Sequence, residues 1–145
     1  MIEYRNTAEG LEPEQLRGFF EGWPAPPTPE THLSILDRSD AVVIAVSTSG
    51  ESVAGFITAL TDGILAAYIP LLEVRPQFRG QRIGRQLVEN MLKQLGGLYM
   101  VDVICDARVQ GFYNGLGFTS SVGASVGGTS IRAAAYRCED EKKPP

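Results

Sequence analysis

The chain has 145 residues, of which 43% are hydrophobic and 21% charged, and its formal net charge is −4 at pH 7. These values are typical of one folded domain and argue against a disordered chain or a general nucleic-acid binder. No apolar run approaches the roughly 20 residues of a membrane span, and no secretory signal precedes the domain, so we expect a cytoplasmic protein that binds no membrane.

The first forty residues predict one strand and two helices. Ile2–Arg5 is predicted to be a short strand, and the spacing of apolar residues indicates a helix over Leu11–Gly22. A proline-rich stretch follows. Thr28 before Pro29 is typical of a helix start, because an oxygen cap precedes proline at the first helical position. This second helix is predicted to reach about Asp37. Its inward residues are predicted to be Leu33 and Leu36.

Three strands are predicted next. Ala41–Val46 and Val53–Leu60 are apolar runs separated by a turn, and the Asp62-Gly63 pair indicates a second hairpin because it accommodates positive φ. The third run, Ile64–Val74, is too long and too apolar for an edge strand. It contains Pro70, which cannot donate a ladder hydrogen bond and therefore indicates a break or bulge. Local rules fail most often at functional sites, so Pro70 hints at one.

The second half of the chain alternates between helices and strands, which indicates an α/β or α+β sheet. We expect residues 1–138 to form one domain and residues 139–145 to fray. The predicted elements are a helix over about Arg82–Leu95, a buried strand at Leu98–Cys105, a short helix at Ala107–Gly115, and strands at Phe118–Val122 and Thr129–Arg137.

Metal and nucleophile chemistry have few candidate residues. The chain has two cysteines and one histidine, which is too few for a structural zinc site, and no metal is expected. Cys105 lies in an apolar run, which favours a core residue over a nucleophile. His32 lies in a polar helical segment, so a Cys–His or Ser–His pair is not indicated.

The Arg79–Gly84 loop lies between a strand and a helix. It leaves backbone N–H groups free at the positive end of the helix, an arrangement that binds phosphate-like anions. Gly80 permits a tight turn, and Arg79 and Arg82 add positive charge. From these residues alone, a solvated basic loop that caps an ordinary helix is an equally good interpretation. The loop lacks the ending of a Walker loop and the spacing of a dinucleotide fingerprint.

The run LLEVRPQFRGQRIGRQLVENML resembles the acyl-CoA-binding signature of the GNAT superfamily of N-acetyltransferases, which is Gln/Arg-x-x-Gly-x-Gly/Ala after the fourth strand. Arg79 matches its first position and Gly84 its last, whereas Arg82 replaces the middle glycine. The segment CDARVQGFYNGLGF is similar to the family's later Phe-Tyr signature. Within the superfamily, TDGILAAYIPLLEVRP and LYMVDVICD look similar to small bacterial and plastid-type amine acetyltransferases.

The resemblance implies both a fold and a reaction. The fold is a mixed, mostly antiparallel central sheet of about six or seven strands, splayed between strands 4 and 5 and flanked by about four helices. The reaction is transfer of an acetyl group from acetyl-CoA to a primary amine by direct attack on the thioester. The acceptor is expected to be a small-molecule amine, and dimers are common in the family. A non-catalytic acyl-CoA-binding or regulatory domain is the alternative.

The resemblance places the cofactor on the loop and on the end of the fourth strand. Backbone groups of Leu72 and Val74 would bind the pantetheine arm in the splay, and one N–H would polarise the thioester carbonyl. Asp106 falls where the family often has asparagine near that arm. The predicted cofactor-binding residues are Leu72, Val74, Arg79, Gly80, Gln81, Arg82, Ile83, Gly84, Arg85, Asp106 and Phe112.

Two residues are candidates for proton transfer from the amine and to the thiolate. Tyr113 falls on the tyrosine that in many family members protonates the departing CoA thiolate, and its alternative role is to close the core. Glu73 lies beside the presumed acetyl position, but strand alternation can send its side chain away from Leu72 and Val74. Its alternative role is a structural carboxylate paired with an arginine. The candidate arginines are Arg75 and Arg79.

The remaining candidates concern the base and the acceptor. Tyr68 falls where several family members place a base or a water-holding residue, although a strand tyrosine is more often core or pocket wall, and the amine could lose its proton to water. Asp62 could attract an ammonium group, but a carboxylate before glycine more often serves the turn. Phe20 could line the acceptor pocket or pack in the core. Trp23 beside a proline is the better pocket candidate and suggests an apolar or aromatic acceptor.

Overall fold

The computed structural model describes residues 1–49 and 52–121. Two compact units are present, Met1–Glu21 with Pro26–Asp102, and Gly22–Ala25 with Val103–Pro145. None of the helices in the described ranges has the length and apolar character that crossing a membrane requires. The predicted strand at Thr129–Arg137 and the tail at 139–145 lie outside the described residues.

The sheet of the described residues has five strands in the order β1-β2-β3-β4-β5. The first four are antiparallel neighbours in chain order. The Met100 N–H donates to the Leu65 carbonyl over 3.1 Å, so β4 and β5 begin side by side and the sheet is mixed. The strands are β1 Ile2–Arg5, β2 Ala41–Ser47, β3 Val53–Thr61, β4 Ala66–Val74 and β5 Met100–Val103.

Three α-helices and three short 3-10 turns accompany these strands in the described residues. The helices are α1 Pro29–Arg38, α2 Ile83–Gln94 and α3 Gln110–Asn114, and the 3-10 turns are Pro13–Leu16, Pro76–Phe78 and Ala107–Val109. The described part therefore has fewer strands and helices than the six or seven strands and four helices expected from the family resemblance.

The helix predicted over Leu11–Gly22 is wrong, because only the 3-10 turn Pro13–Leu16 forms there. Gly18 has φ 84° and Phe20 has φ 62°, both in the left-handed region, which a right-handed helix cannot contain. The N–H groups of Phe20 and Glu21 donate to the carboxylate of Glu73. The Glu73 side chain thus accepts the two N–H groups that would otherwise donate to backbone carbonyls in a helix.

Two predicted strands also need correction. Leu98–Cys105 forms only the four-residue β5, whose side chains alternate between exposed and half-buried rather than being fully buried. Residues 118–121, the described part of the Phe118–Val122 prediction, form no strand. Cys105 is buried, as predicted for a core residue.

The starts of α1 and α2 follow from local sequence. Thr28 Oγ1 accepts the Thr31 N–H over 3.2 Å, which confirms the predicted cap before Pro29. The apolar stripe of α2 is buried as predicted. In α1, however, the buried residues are His32 and Leu36, while Leu33 is half-buried. His32 therefore faces the core, contrary to the polar environment expected from its neighbours.

The two faces of the sheet pack on different elements. Phe56 of β3 lies among aromatic rings, with centroids 4.3 Å from His32 and 5.2 Å from Phe19. Gly55, one residue earlier, faces α2. A Cβ at Gly55 would lie 2.9 Å from the backbone oxygen of Glu73 and 3.2 Å from Leu87 Cδ1. The glycine thus lets Leu87 of α2 pack closely against β3 beside the end of β4.

We expect Gly55→Ala to lower the free energy of unfolding by about 2 kcal/mol, because overpacking a closed interior costs roughly 1 to 3 kcal/mol. The nearest atom is a backbone oxygen, which cannot rotate away. Urea denaturation measures the effect. Gly111→Ala is the matched control, since a Cβ there meets nothing within 4 Å and alanine favours a helix. Equal stability of Gly55→Ala and wild type would contradict the packing argument.

Pro70 lies at a bulge, as its sequence position predicted. Leu71 pairs with Thr58, whereas Tyr68 pairs with Leu60, so β4 has one more residue than β3 between these pairs. The extra residue changes which face each later side chain occupies. This shift determines the arrangement of the candidate site.

Candidate functional site

The C-terminal half of β4 presents backbone groups away from β3. The Arg75 N–H donates to the Ala54 carbonyl over 2.9 Å, which makes this a hydrogen-bonded pair. Such pairs alternate in an antiparallel ladder. The backbone groups of Glu73 therefore face β3, while those of Leu72 and Val74 face the other side. This is the orientation that the sequence prediction for the two residues requires.

The strand on that other side is short. β5 spans four residues and begins level with the start of β4, so it cannot extend much beyond the level of Ile69. Leu72 and Val74 thus lie beyond the end of β5. Pro70 lies two residues before Leu72, so its backbone nitrogen points to the same side of β4. That side requires no ladder hydrogen bond, so the missing N–H of proline is tolerated there. The proline marks the point where β4 loses its neighbour.

Glu73 points to the opposite face from Leu72 and Val74, as strand alternation indicated. It pairs with Phe56 across the sheet. Its Oε2 accepts the Phe20 N–H over 2.8 Å, and its Oε1 accepts the Glu21 N–H over 3.3 Å. Burial raises the pKa of Glu73, and these two hydrogen bonds and nearby Arg79 partly oppose that rise. The carboxylate therefore anchors a loop through backbone N–H groups.

Tyr68 lies on the same face as Glu73. Alternation along β3 places Phe56 and Leu60 on one face, and they pair with Glu73 and Tyr68 respectively. The two β4 residues are an odd number apart, so an unbulged strand would have put them on opposite faces. Tyr68 is 38% exposed, and partial burial raises its pKa. The bulge at Pro70 thus brings both candidate bases to one surface.

Two arginines after β4 hold the N-terminal segment in different ways. The Arg75 guanidinium is buried, lies 4.8 Å over the Phe19 ring, and donates to the carbonyls of Gln15 and Arg17. The Arg79 guanidinium donates from Nε to the Val74 carbonyl over 3.0 Å. Its Nη2 donates to Glu21 Oε2 over 2.8 Å. The Val74 carbonyl is therefore occupied, which leaves the Val74 N–H for a ligand.

The start of α2 has free donors. In the part of the chain that the structure describes, the backbone N–H groups from Gln81 to Arg85 have no acceptor, and α2 has neither a side-chain cap nor an acidic residue in its first turn. Gly80 has φ 75° and Arg82 has φ 63°. Arg85 pairs with Glu89 over 2.8 Å. Free N–H groups at a helix N-terminus favour a bound anion.

Arg82 stands in a conformation that suits glycine. Left-handed backbone costs a side-chain-bearing residue roughly 1 to 2 kcal/mol. The Arg82 side chain is exposed and makes no ion pair with the described residues. The position that the family pattern gives to glycine is thus one where positive φ is used, and arginine adopts it here.

Asp62 organises the turn between β3 and β4. Its Oδ1 accepts the N–H groups of Ile64 and Leu65 over 2.8 Å and that of Ala66 over 3.2 Å. These hydrogen bonds lower the pKa of Asp62. The turn role accounts for this geometry, and an additional role in attracting an ammonium group stays a prediction.

Phe20 packs in the core, which is the alternative to a pocket wall. It is 4% exposed, and its ring centroid lies 4.8 Å from that of His32. His32 is itself 1% exposed. The Leu16 backbone lies close enough to the imidazole of His32 to favour its protonated form. Neither nitrogen of that ring, however, makes a hydrogen bond of ordinary geometry to a described residue. Burial lowers the pKa of His32 to about 4.

The second unit contains the remaining predicted residues. Tyr113 is buried, with ring centroids 5.0 Å from Phe112 and 5.5 Å from Phe118. Asp106 caps the turn Ala107–Val109 by accepting the Arg108 N–H, and it also pairs with the Arg108 guanidinium over 2.6 Å. Both contacts lower its pKa. Trp23 is half-buried. The functional roles predicted for these residues stay predictions.

Glu21 is the site residue that the sequence did not indicate. Its backbone N–H bonds Glu73 and its side chain bonds Arg79, so it connects two predicted site residues. These partners are 52 and 58 residues away in the chain. No local pattern around Glu21 marks such contacts, and no sequence signal we recognise could have found them.

Known proteins resemble this chain in fold and, to different degrees, in sequence. The family model for the acetyltransferase (GNAT) family matches residues 8–118. The structure of an acetyltransferase candidate from Deinococcus radiodurans R1 is 48% identical, with a TM-score of 0.84 over 92% of each chain. A GNAT-family acetyltransferase structure from Streptococcus pneumoniae is similar in fold alone, with 22% identity and a TM-score of 0.72 over 89% of this chain and 99% of that one.

A curated relative adds to these matches. The GCN5-related N-acetyltransferase 1, chloroplastic, of Arabidopsis thaliana is 30% identical over 132 residues, which cover 88% of this chain. The match spans 66% of that relative's length. The family match covers most of the described chain and includes β4, the Arg79–Gly84 loop and α3. The chain therefore belongs to the GNAT family of acetyltransferases.

Proposed function

We propose that the protein transfers an acetyl group from acetyl-CoA to a primary amine by direct attack of the amine on the thioester. The observation that carries the proposal is the row of N–H groups from Gln81 to Arg85, which have no acceptor among the described residues and follow a strand whose Leu72 and Val74 backbone groups face away from β3. The first feature suits a pyrophosphate, and the second suits the amide groups of a pantetheine arm. Family membership supplies the reaction class.

The donors of β4 would act on the thioester. With the Val74 carbonyl held by Arg79, the Leu72 and Val74 N–H groups and the Leu72 carbonyl are available to the arm. An N–H aimed at the thioester oxygen stabilises the negative charge that develops there when the amine attacks. Bound acetyl-CoA supplies the activated acetyl group and a thiolate leaving group.

Glu73 is the base that we favour, with Tyr68 as the residue that holds a water for proton transfer. Burial raises the pKa of Glu73, which moves the carboxylate toward the range useful for accepting a proton near neutral pH. Each of its oxygens accepts one backbone N–H and keeps a further lone pair. Tyr68 lies on the same face of β4. An apolar or aromatic body of the amine would suit the exposed Leu60–Tyr68 pair.

The conformation of Arg82 allows a test of whether the backbone of the Arg79–Gly84 loop binds the cofactor. Glycine adopts the φ of 63° freely, whereas a β-branched valine resists it. Arg82→Gly and Arg82→Val remove the same charge and differ in backbone preference. We expect Arg82→Val to bind acetyl-CoA about 10-fold more weakly than Arg82→Gly, because about 1.4 kcal/mol of strain displaces the N–H groups. Isothermal titration calorimetry measures both. Equal dissociation constants would show that the loop backbone does not bind the cofactor.

The function itself is tested by CoA release. Wild-type protein is incubated with acetyl-CoA and a panel of primary amines that includes polyamines, arylalkylamines, amino acids and aminoglycosides, and free thiol is measured. Amine-dependent thiol release, with the acetylated amine identified by mass spectrometry, supports the proposal. Binding of acetyl-CoA without release for any amine supports a non-catalytic acyl-CoA-binding domain. If acetyl-CoA neither binds nor releases CoA, the assignment of the Arg79–Gly84 loop as a cofactor site is overturned.

A further inference from the structure

The segment Gln15–Glu21, which we call the strap, is hydrogen-bonded to the end of β4 at several points. Three charged side chains at the end of β4 and in the loop after it make these hydrogen bonds. Glu73 binds the strap's N–H groups, Arg75 its carbonyls, and Arg79 its acidic side chain. The bonded strap residues are Gln15, Arg17, Phe20 and Glu21.

Arg79 belongs to the strap contact and to the cofactor loop at once. It is the first residue of the loop whose free N–H groups suit a pyrophosphate, yet its Nη2 is bonded to Glu21. Both side chains are more than half exposed, at 53% for Arg79 and 58% for Glu21. An ion pair this exposed contributes little to stability, because solvent screens both charges. A phosphate group, with more charge and more acceptor oxygens, can displace such a carboxylate.

The strap is held in a strained conformation. Phe20 has φ 62°, and left-handed backbone is a true outlier for a bulky residue. Its N–H is bonded to Glu73 over 2.8 Å, while the neighbouring Glu21 N–H bond is longer, at 3.3 Å. If the Glu21 side chain leaves Arg79, Glu21 keeps only this longer hydrogen bond to the end of β4 within the described residues.

We propose that Glu21 competes with the phosphates of the cofactor for Arg79, so that cofactor binding releases Glu21 and loosens the strap over the Glu73 carboxylate. This inference rests on the proposed function, because it takes acetyl-CoA as the anion. The acceptor side thus responds to the cofactor, because release of the Glu21 side chain leaves the end of the strap with only the Phe20 and Glu21 N–H bonds to Glu73.

The test measures acetyl-CoA binding to the full chain by calorimetry at low and constant ionic strength. We expect Glu21→Gln to bind about 3-fold more tightly than wild type, since removing the competitor is worth less than about 1 kcal/mol. Arg79→Gln binds more weakly than wild type. In the Arg79→Gln background, Glu21→Gln has no further effect, because the competition needs Arg79. Glu3→Gln is the matched control, since Glu3 is in another exposed ion pair, with Arg5, and its loss changes net charge equally.

The outcomes separate the inference from the function. If wild type binds acetyl-CoA but Glu21→Gln binds no more tightly, the competition is overturned while the function stands. The competition is likewise overturned if Glu3→Gln tightens binding as much, or if the gain persists without Arg79, since either result indicates a general charge effect. If wild type neither binds acetyl-CoA nor releases CoA with any amine, the proposed function and the inference are both overturned.

Discussion

Tyr113→Phe is expected to lower kcat by about 100-fold with little change in the affinity for acetyl-CoA. A general acid contributes roughly 100-fold or more, and the variant removes the hydroxyl that would protonate the CoA thiolate. The phenyl ring keeps the packing of Tyr113 against Phe112 and Phe118. Steady-state kinetics with an amine identified by CoA release, together with a binding isotherm, measures the two quantities separately.

Tyr99→Phe is the matched control for this substitution. It removes the same hydroxyl from a tyrosine that is 83% exposed and lies before β5. We expect this control to retain wild-type kcat. If Tyr113→Phe also turns over at the wild-type rate, Tyr113 only closes the core around α3, which is the alternative that the sequence left open.

Acidification is expected to destabilise the protein through His32. The folded pKa is lowered from 6.5 to about 4, so the folded state takes up this proton less readily than the unfolded chain does. The stability contribution of neutral His32 is present above about pH 6.5 and is lost progressively as the pH falls toward about 4. One pH unit in that window is worth about 1.4 kcal/mol. Between about pH 7 and about pH 4.5, His32 therefore accounts for a loss of about 2 kcal/mol.

His32→Phe isolates this effect from other acid-sensitive groups. The substitution keeps a flat ring among Phe19, Phe20 and Phe56, and it removes nitrogens that make no ordinary hydrogen bond to the described residues. We expect the difference in free energy of unfolding between about pH 7 and about pH 4.5 to shrink by about 2 kcal/mol in the variant. Urea denaturation at both pH values measures it. An unchanged difference would mean that His32 is not buried in its neutral form.

The arrangement at β4 explains why one proline marks the site. Pro70 accompanies a bulge on one side of β4 and a missing neighbour strand on the other. The bulge places Tyr68 on the same face as Glu73, the candidate base, which also binds the strap. On the other edge, the backbone groups of Leu72 and Val74 lie beyond the end of β5 and face away from β3, within the described residues. In the proposed reaction, the cofactor and the acceptor would therefore meet at this short stretch of strand.

The sequence determined the features that depend on neighbours in the chain. The Thr28 cap, the buried stripe of α2 and the proline at an irregularity in β4 were all predicted, because caps, helical periodicity and a missing N–H act over a few residues. The GNAT family was also identified from the sequence, since its motifs are contiguous. The turn alternative for Asp62 is explained by hydrogen bonds from three of the next four residues, Ile64, Leu65 and Ala66.

Tertiary structure decided the features whose partners are distant in the chain. The segment around Phe20 has apolar residues at helical spacing, yet it forms no helix because Glu73, 53 residues later, binds its N–H group. His32 is surrounded by polar neighbours in sequence but packs against Phe19, Phe20 and Phe56, which come from two other segments of the chain. A one-residue bulge reversed the face of Tyr68 relative to Glu73, and Glu21 joined the site only through contacts across the fold. Local propensity is worth tenths of a kcal/mol per residue, and packing together with distant hydrogen bonds outweighs it.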